Sequence, residues 1–279
     1  LVFAPVLKRD PIFQFQTPPG GKDAYRPAAP AWVAQDGAGA PHCFPTPPKA
    51  PLGARAVDPS RKPTASIAFY NSPAPDGSRP GIYYVNLSDM TQVLKPQIEG
   101  ISYHEGAPGH HFQIAYAQEM EHLPSFRRFG GYGAYSEGWG LYSERLGKEM
   151  GFYQDPYSDF GRLSTELWRA VRLVTDTGLH AKRWSREQAM DYFRQNSLLS
   201  ERDIQKEVER YITNPGQATS YKIGELKIEE LRAKAEAALG DRFDIKDFHT
   251  VVLGSGAVPL DVLRDLADAW IAKGGGAPN

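Results

Sequence analysis

The sequence predicts a mainly α-helical protein with a small antiparallel sheet near its N-terminal side. Three observations carry this expectation. From residue 88 onward, apolar positions recur at helical spacing. Two short runs rich in aromatic and β-branched residues precede that region. The first 63 residues hold too much Pro and Gly for long helices: Pro18-Pro19-Gly20-Gly21, Pro27 to Pro30, Pro45 to Pro51.

Taken in order, residues 1–63 are expected to form loops and short extended pieces. Their aromatics (Phe3, Phe13, Phe15, Tyr25, Trp32, Phe44) suit a segment wrapped over a core, continuing an N-terminal half outside this chain. Residues 64–279 are expected to form a helical domain with the functional site. Ala65 to Asn71 and Gly81 to Asn86 read as strands, joined by a loop with Asp76-Gly77 into an antiparallel pair. Helices are predicted over 88–100, 101–121, 132–150, 156–180, 185–195, 200–212, 217–240, 245–254 and 259–273. Ser88 before Asp89, Ser185 with Glu187 behind it, and Ser200 before Glu201 and Asp203 are start signals. Gly151, Gly178 and Gly240 read as stops. Ile223, Leu226, Ile228, Leu231, Ala235 and Leu239 form an apolar stripe with charged residues between them.

Composition removes several function classes. A formal net charge of -1, without basic tracts, gives no reason to expect nucleic acid or an anionic membrane surface. No apolar run approaches the roughly 20 residues of a membrane span. Cys43 is the single cysteine, so neither an intramolecular disulfide nor a thiolate metal cluster is available, and no catalytic signature surrounds it. The chain begins with Leu1 and carries no signal peptide, so it reads as processed or as the C-terminal part of a longer protein. Periplasmic, secreted and cytoplasmic locations all stay open.

The densest chemistry lies in His104-Glu105-Gly106-Ala107-Pro108-Gly109-His110-His111 and, after a break, Ser136-Glu137-Gly138-Trp139. Two neutral imidazoles, a carboxylate ligand and a carboxylate beside the first His are the inventory of a hydrolytic zinc site. The usual H-E-x-x-H places its His residues one helical turn apart, but here that position is Pro108. Proline has no N–H for the carbonyl of His104 and its ring clashes there, so the helix bends or breaks. An excursion at Pro108-Gly109 can return either His110 or His111 to the face of His104. His111 shares its azimuth but stands roughly 10.5 Å further along a straight axis. His110 needs a looped-out segment, and the choice stays open. The third ligand should come from the next helix, where Glu137 fits. Glu144, seven residues later on much the same face, is a candidate to support a ligand. His42 and His122 are expected to face solvent.

At these residues the chain resembles the bacterial domain-of-unknown-function 885 proteins, with their H-E-x-x-P-G-H-H-x-Q signature, which Gln113 completes. Glu137 to Tyr142, Arg172 to His180, Pro215-Gly216-Gln217-Ala218 leading to Tyr221, and Phe248-His249 to Pro259-Leu260 look like the same family. The resemblance covers roughly residues 65–270, and family members are about twice this length. It implies a helical zincin-like metallopeptidase domain. The relatives in view are gluzincins with a Glu third ligand, such as angiotensin-converting enzyme and the thermostable carboxypeptidases.

On this reading one zinc ion is held by His104, by His110 or His111, and by Glu137, and lowers the pKa of water toward about 7. Glu105 accepts the proton as that water attacks an amide carbonyl. Tyr221 is the first choice as donor to the developing oxyanion, and His180, with Asp176 as a possible orienter, the second. Arg210 and Tyr211 can bind a substrate carboxylate, and the edge of the strand pair can accept an extended peptide. His249 is expected to be structural. The expected partner is a peptide or small amide. The competing expectations are a hydrolase of non-peptide amides or esters, and a metal-binding protein without catalysis.

Overall fold

The computed structural model describes residues 43–44, 46–62, 65–87 and 95–278. Strands β1 (Leu52–Ala56), β2 (Ala68–Asn71) and β3 (Gly81–Val85) form a mixed sheet in the order β1-β3-β2. β2 and β3 are antiparallel as expected, with Phe69 opposite Tyr84. β1 is an addition from the Pro-rich segment, and it runs parallel to β3 with Leu52 opposite Gly81. Its sequence, Leu-Gly-Ala-Arg-Ala, has little intrinsic strand preference. Pairing with β3 is what makes it a strand. Tyr83, Val85 and Leu87 pack beneath the sheet on Ile98 and Ile101 of the first helix.

Helices follow: α1 (Lys95–Glu105), α2 (His110–Glu119), the single turn α3 (Ser125–Arg128), α4 (Gly133–Glu149) and α5 (Pro156–Ala181). Then come α6 (Arg186–Asn196), α7 (Glu201–Thr213), α8 (Ser220–Leu239), α9 (Ile245–Leu253) and α10 (Leu260–Ala272). The expected boundary at 100/101 is wrong. α1 runs through it, and the chain breaks instead at 106–109, where Pro108 cannot continue a helix. The predicted helix start at Ser88 and Asp89 lies outside the described residues. Gly178 is no stop either. It sits within α5 because a Cβ there would lie 2.4 Å from the Trp184 ring.

Local signals explain several ends. Asp155 accepts from Tyr157 N with Pro156 at the first position of α5. Ser185 and Gln188 form a reciprocal capping box, and Ser200 accepts from Asp203 N. α4 and α8 touch where Gly138 meets Gly224: a Cβ on Gly138 would stand 2.4 Å from Gly224 Cα. Around that contact Trp139, Tyr142 and Leu146 pack with Ile228, Leu231 and Ala235, and with Phe248, Val252 and Trp270. Phe44 belongs to this core, tilted against Phe112 and stacked on His249. A separate cluster, including Val171, Phe193, Val208 and Tyr211, joins α5, α6 and α7. Buried polar residues concentrate on α1, α4, α5 and α7, among them Glu99, His104, Glu105, Glu144, Arg169, Arg172 and Glu207.

Candidate metal centre

The last turn of α1 carries His104 and Glu105. Gly106 closes that turn onto Ser102 O (2.8 Å), and His111 N then returns to Gly106 O (3.0 Å) to start α2. Trp139 of α4 reaches over and donates its indole N–H to Pro108 O (2.7 Å). The four-residue excursion is thereby fixed, and it brings the His110 ring to 4.7 Å from the His104 ring. Glu137, on the first turns of α4, completes the group. Its Oε2 lies 3.5 Å from His104 Nε2 and 3.3 Å from His110 Nε2. His104, His110 and Glu137 offer ligand atoms all within 4.8 Å of one another.

Two ligands about 2.1 Å from a tetrahedral ion stand about 3.4 Å apart, so the spacing suits an ion such as zinc. Glu137 Oε2 is buried and has no hydrogen-bond partner, while its Oε1 accepts from Gln217 Nε2 (3.2 Å). Glu144 stands behind the group. Its Oε1 lies 2.8 Å from His104 Nδ1, and its carboxylate accepts from Arg169 (2.9 Å) and Thr165 (2.8 Å). An Nδ1–H facing that carboxylate leaves the Nε2 lone pair directed at the group, the tautomer a metal ligand needs.

The electrostatics agree. Burial disfavours a charged His104, yet the carboxylates of Glu137 and Glu144 outweigh it and lift its pKa to about 9. Burial would raise the Glu137 carboxyl, yet its contacts with His104 and His110 hold it well below the usual range. Glu105 differs: burial pushes its carboxyl up, against the pull of His110 and His104. The buried carboxylates of Glu105 and Glu144 share the Arg169 guanidinium, and the half-buried Glu137 adds a third carboxylate to the group. Such a site draws in positive charge.

The geometry separates the two candidate histidines. His111 points away: its Nε2–H donates to Ala50 O (3.0 Å), and its Nδ1 accepts from the Tyr70 hydroxyl (2.9 Å). With both nitrogens engaged, it is a structural fastener. Tyr221 lies beside the centre, its ring stacked 5.9 Å from that of His104, and its hydroxyl accepts from Gln217 Nε2 (3.3 Å). His180 does not join them; it donates to Tyr211 O (2.8 Å) at the end of α5. Asp176 accepts from Gly216 N through both oxygens (3.1 Å), fixing the Pro215-Gly216 turn. Tyr211 is fully buried, with its hydroxyl donating to Glu207 (2.6 Å), so it is a packing residue and not a substrate contact. Arg210 donates to Glu207 (3.0 Å) and Gln217 (2.5 Å). His249 is structural as expected, bonded to Tyr142 and Cys43 O. His122 is exposed, and His42 lies outside the described residues. Sequence reasoning missed Gln217, Arg169 and Arg172 as neighbours of the centre. The pair at i and i+3 on α5 was the available signal.

The model of a family described as bacterial protein of unknown function (DUF885) matches residues 2–266. The chain belongs to this family. Two solved structures share the fold of this chain. A protein from Colwellia psychrerythraea, described as a candidate lipoprotein, is 43% identical, with a TM-score of 0.94 over 96% of this chain and 46% of that one. A candidate lipoprotein of unknown function from Shewanella oneidensis is 21% identical, with a TM-score of 0.79 over 94% of this chain and 48% of that one; it supports the fold alone. The chain thus spans about half the length of the solved structures it matches. No curated protein matches the chain.

Proposed function

We propose that His104, His110 and Glu137 hold a zinc ion and that the family member acts as a metallopeptidase of the gluzincin type. The observation that carries this is Glu137 Oε2, a buried oxygen without a hydrogen-bond partner, converging with His104 Nε2 and His110 Nε2. Two imidazoles and a carboxylate with one open position are the donor set of catalytic zinc.

When bound, the ion would polarise a carbonyl and lower the pKa of water at its open position. The chain's own residues supply the rest. Glu105 follows the first ligand and is buried at the same helix end, placed to take the proton of an attacking water and hand it to the leaving amine. Tyr221, held by Gln217, offers a hydroxyl to the oxyanion that develops on the carbonyl. Glu144 and Trp139 orient His104 and the Pro108 turn. Elemental analysis of the purified full chain is expected to find about one zinc per molecule. Glu105→Gln is expected to keep that metal and lose hydrolysis of a peptide library read by mass spectrometry. A full chain that takes up no transition metal stoichiometrically would end the proposal. Metal uptake with cleavage of esters or non-peptide amides alone would replace the peptide substrate.

A further inference from the structure

Two imidazoles face the centre, and only one of them is backed by a neighbouring side chain. His104 Nδ1 lies 2.8 Å from Glu144 Oε1. His110 turns its Nε2 toward Glu137 Oε2 (3.3 Å), while its rear nitrogen, Nδ1, is buried without a hydrogen-bond partner among the described residues. An imidazole that offers one nitrogen to a metal carries its proton on the other. That N–H goes to a carboxylate, a carbonyl or a water, which fixes the tautomer and the orientation of the ring.

The same helix carries a second side chain in this condition. Gln113 is 3% exposed, and both its Oε1 and its Nε2 are buried without a partner among the described residues. A buried amide with neither end paired is rare in folded proteins. Among the described residues, these two ends and His110 Nδ1 are the only unpaired buried side-chain atoms on α2. His110 and Gln113 stand at i and i+3, so their side chains leave one face of the helix with Cβ atoms about 5–6 Å apart.

The direction of the amide is set from α4. The Tyr135 hydroxyl faces Gln113 and donates to Val252 O (2.8 Å). Its one proton is thereby used, so toward Gln113 it can only accept, which turns the amide nitrogen to it. Oε1 is left to accept, and Nδ1–H of His110 is a donor on the same face. A water bonded to both spans about 5–6 Å, the separation of such a pair. Buried waters sit where otherwise unsatisfied polar groups converge in this way.

We infer that Gln113 is the positioning residue of His110: its amide oxygen takes the Nδ1 proton through one buried water and so holds Nε2 toward His104 and Glu137. Its effect on metal binding rests on the zinc centre proposed above; the hydrogen bond itself does not. The division of labour is clear. Trp139 fixes where the Pro108 turn lies, and Gln113 fixes the rotation of the ring that the turn delivers.

The test follows the proton as well as the metal. The full chain, labelled with 15N-histidine, is observed by NMR with and without zinc. His110 is expected to show an Nδ1–H protected from solvent exchange in both states, assigned by its disappearance in His110→Gln. Gln113→Met keeps the length of the side chain and removes the acceptor. The protected proton should vanish, and zinc affinity, from competition against a chromophoric chelator, should fall about tenfold to a hundredfold. Gln113→Glu keeps an acceptor and should retain the proton, with affinity within about threefold of native. Absence of the protected proton in the native chain overturns the inference. So does a Gln113→Met variant that keeps the proton or binds zinc as tightly as native. Equal losses in Gln113→Glu and Gln113→Met would show that the amide acts through packing alone, and would overturn it too. A native chain that takes up no zinc, yet shows a protected His110 proton that Gln113→Met removes, ends the zinc reading and supports the hydrogen bond.

Discussion

Gly140→Ala isolates the part of the centre that depends on His104. Gly140 lies on α4 against the face of that imidazole. A Cβ added there would stand 2.7 Å from His104 Cε1, 2.8 Å from Nε2 and 3.0 Å from Nδ1. Ordinary contact begins at 3.4 Å, so the ring must yield by about 0.7 Å. It has little room to do so, being buried at 3% exposure with Glu144 2.8 Å behind Nδ1. Metal–ligand distances hold to about ±0.2 Å, so such a shift takes Nε2 out of bonding range. The backbone effect has the opposite sign, because Ala in a helix interior is favoured over Gly by about 1 kcal/mol. Overpacking a buried site costs about 1–3 kcal/mol, so the expected variant is folded and up to about 2 kcal/mol less stable than the native chain when metal-free. Its zinc affinity should be at least about a hundredfold weaker. Competition against a chromophoric chelator gives the affinity, and urea unfolding with and without metal gives the stability. Zinc affinity within about threefold of native would show that His104 is not a ligand.

Other perturbations probe the supports. Glu144→Gln keeps the shape but leaves Arg169 without its buried counter-ion; a loss of about 3–5 kcal/mol of stability and a drop of about tenfold to a hundredfold in zinc affinity are expected from denaturation and chelator competition. Trp139→Phe removes the donor to Pro108 O and should cost about 1–3 kcal/mol, with weaker metal binding because the turn that delivers His110 loosens; unchanged affinity would show that the turn holds itself. His249 gives a pH dependence. Burial, assisted by Arg232 and opposed by its bond to Cys43 O, pushes its pKa down to about 3. The unfolded chain then binds the proton first as pH falls below about 6.5, and stability declines by up to about 1.4 kcal/mol per pH unit until about pH 3. His249→Gln, less stable at neutral pH, should show a shallower decline in urea midpoint over that window, and parallel curves would refute the assignment.

The later helices were legible because their signals are local. Ser185 and Ser200 cap through bonds within three residues, and Ile228, Leu231, Ala235 and Leu239 of the α8 stripe are buried as their spacing predicts, whereas Ile223 and Leu226 at its start are exposed. β1 was not legible, since its partner β3 lies some thirty residues on and its own sequence is neutral. The residues of the centre could be named from sequence, but the choice between His110 and His111 could not. It depends on the shape of the 106–109 excursion, which Trp139 sets from 31 residues away. The role first given to Tyr211 failed because exposure is a tertiary property. Nothing near residue 211 in sequence tells that Phe193 and Arg172 enclose it.

The segment before the sheet is sewn along α2, the helix that His110 begins. Phe44 rests on Phe112 at 4.6 Å, Ala50 O takes the His111 proton, and Lys49 N and Ala50 N both donate to the Glu119 carboxylate. His249 fastens the same stretch to α4 by way of Tyr142 and Cys43. The aim of His110 is therefore governed by chain some sixty residues upstream. A single protease nick close to residue 50 would break no bond in the motif and remove none of the proposed ligands, yet it would release the buttress of α2, and its first symptom would be weaker binding of the zinc proposed above.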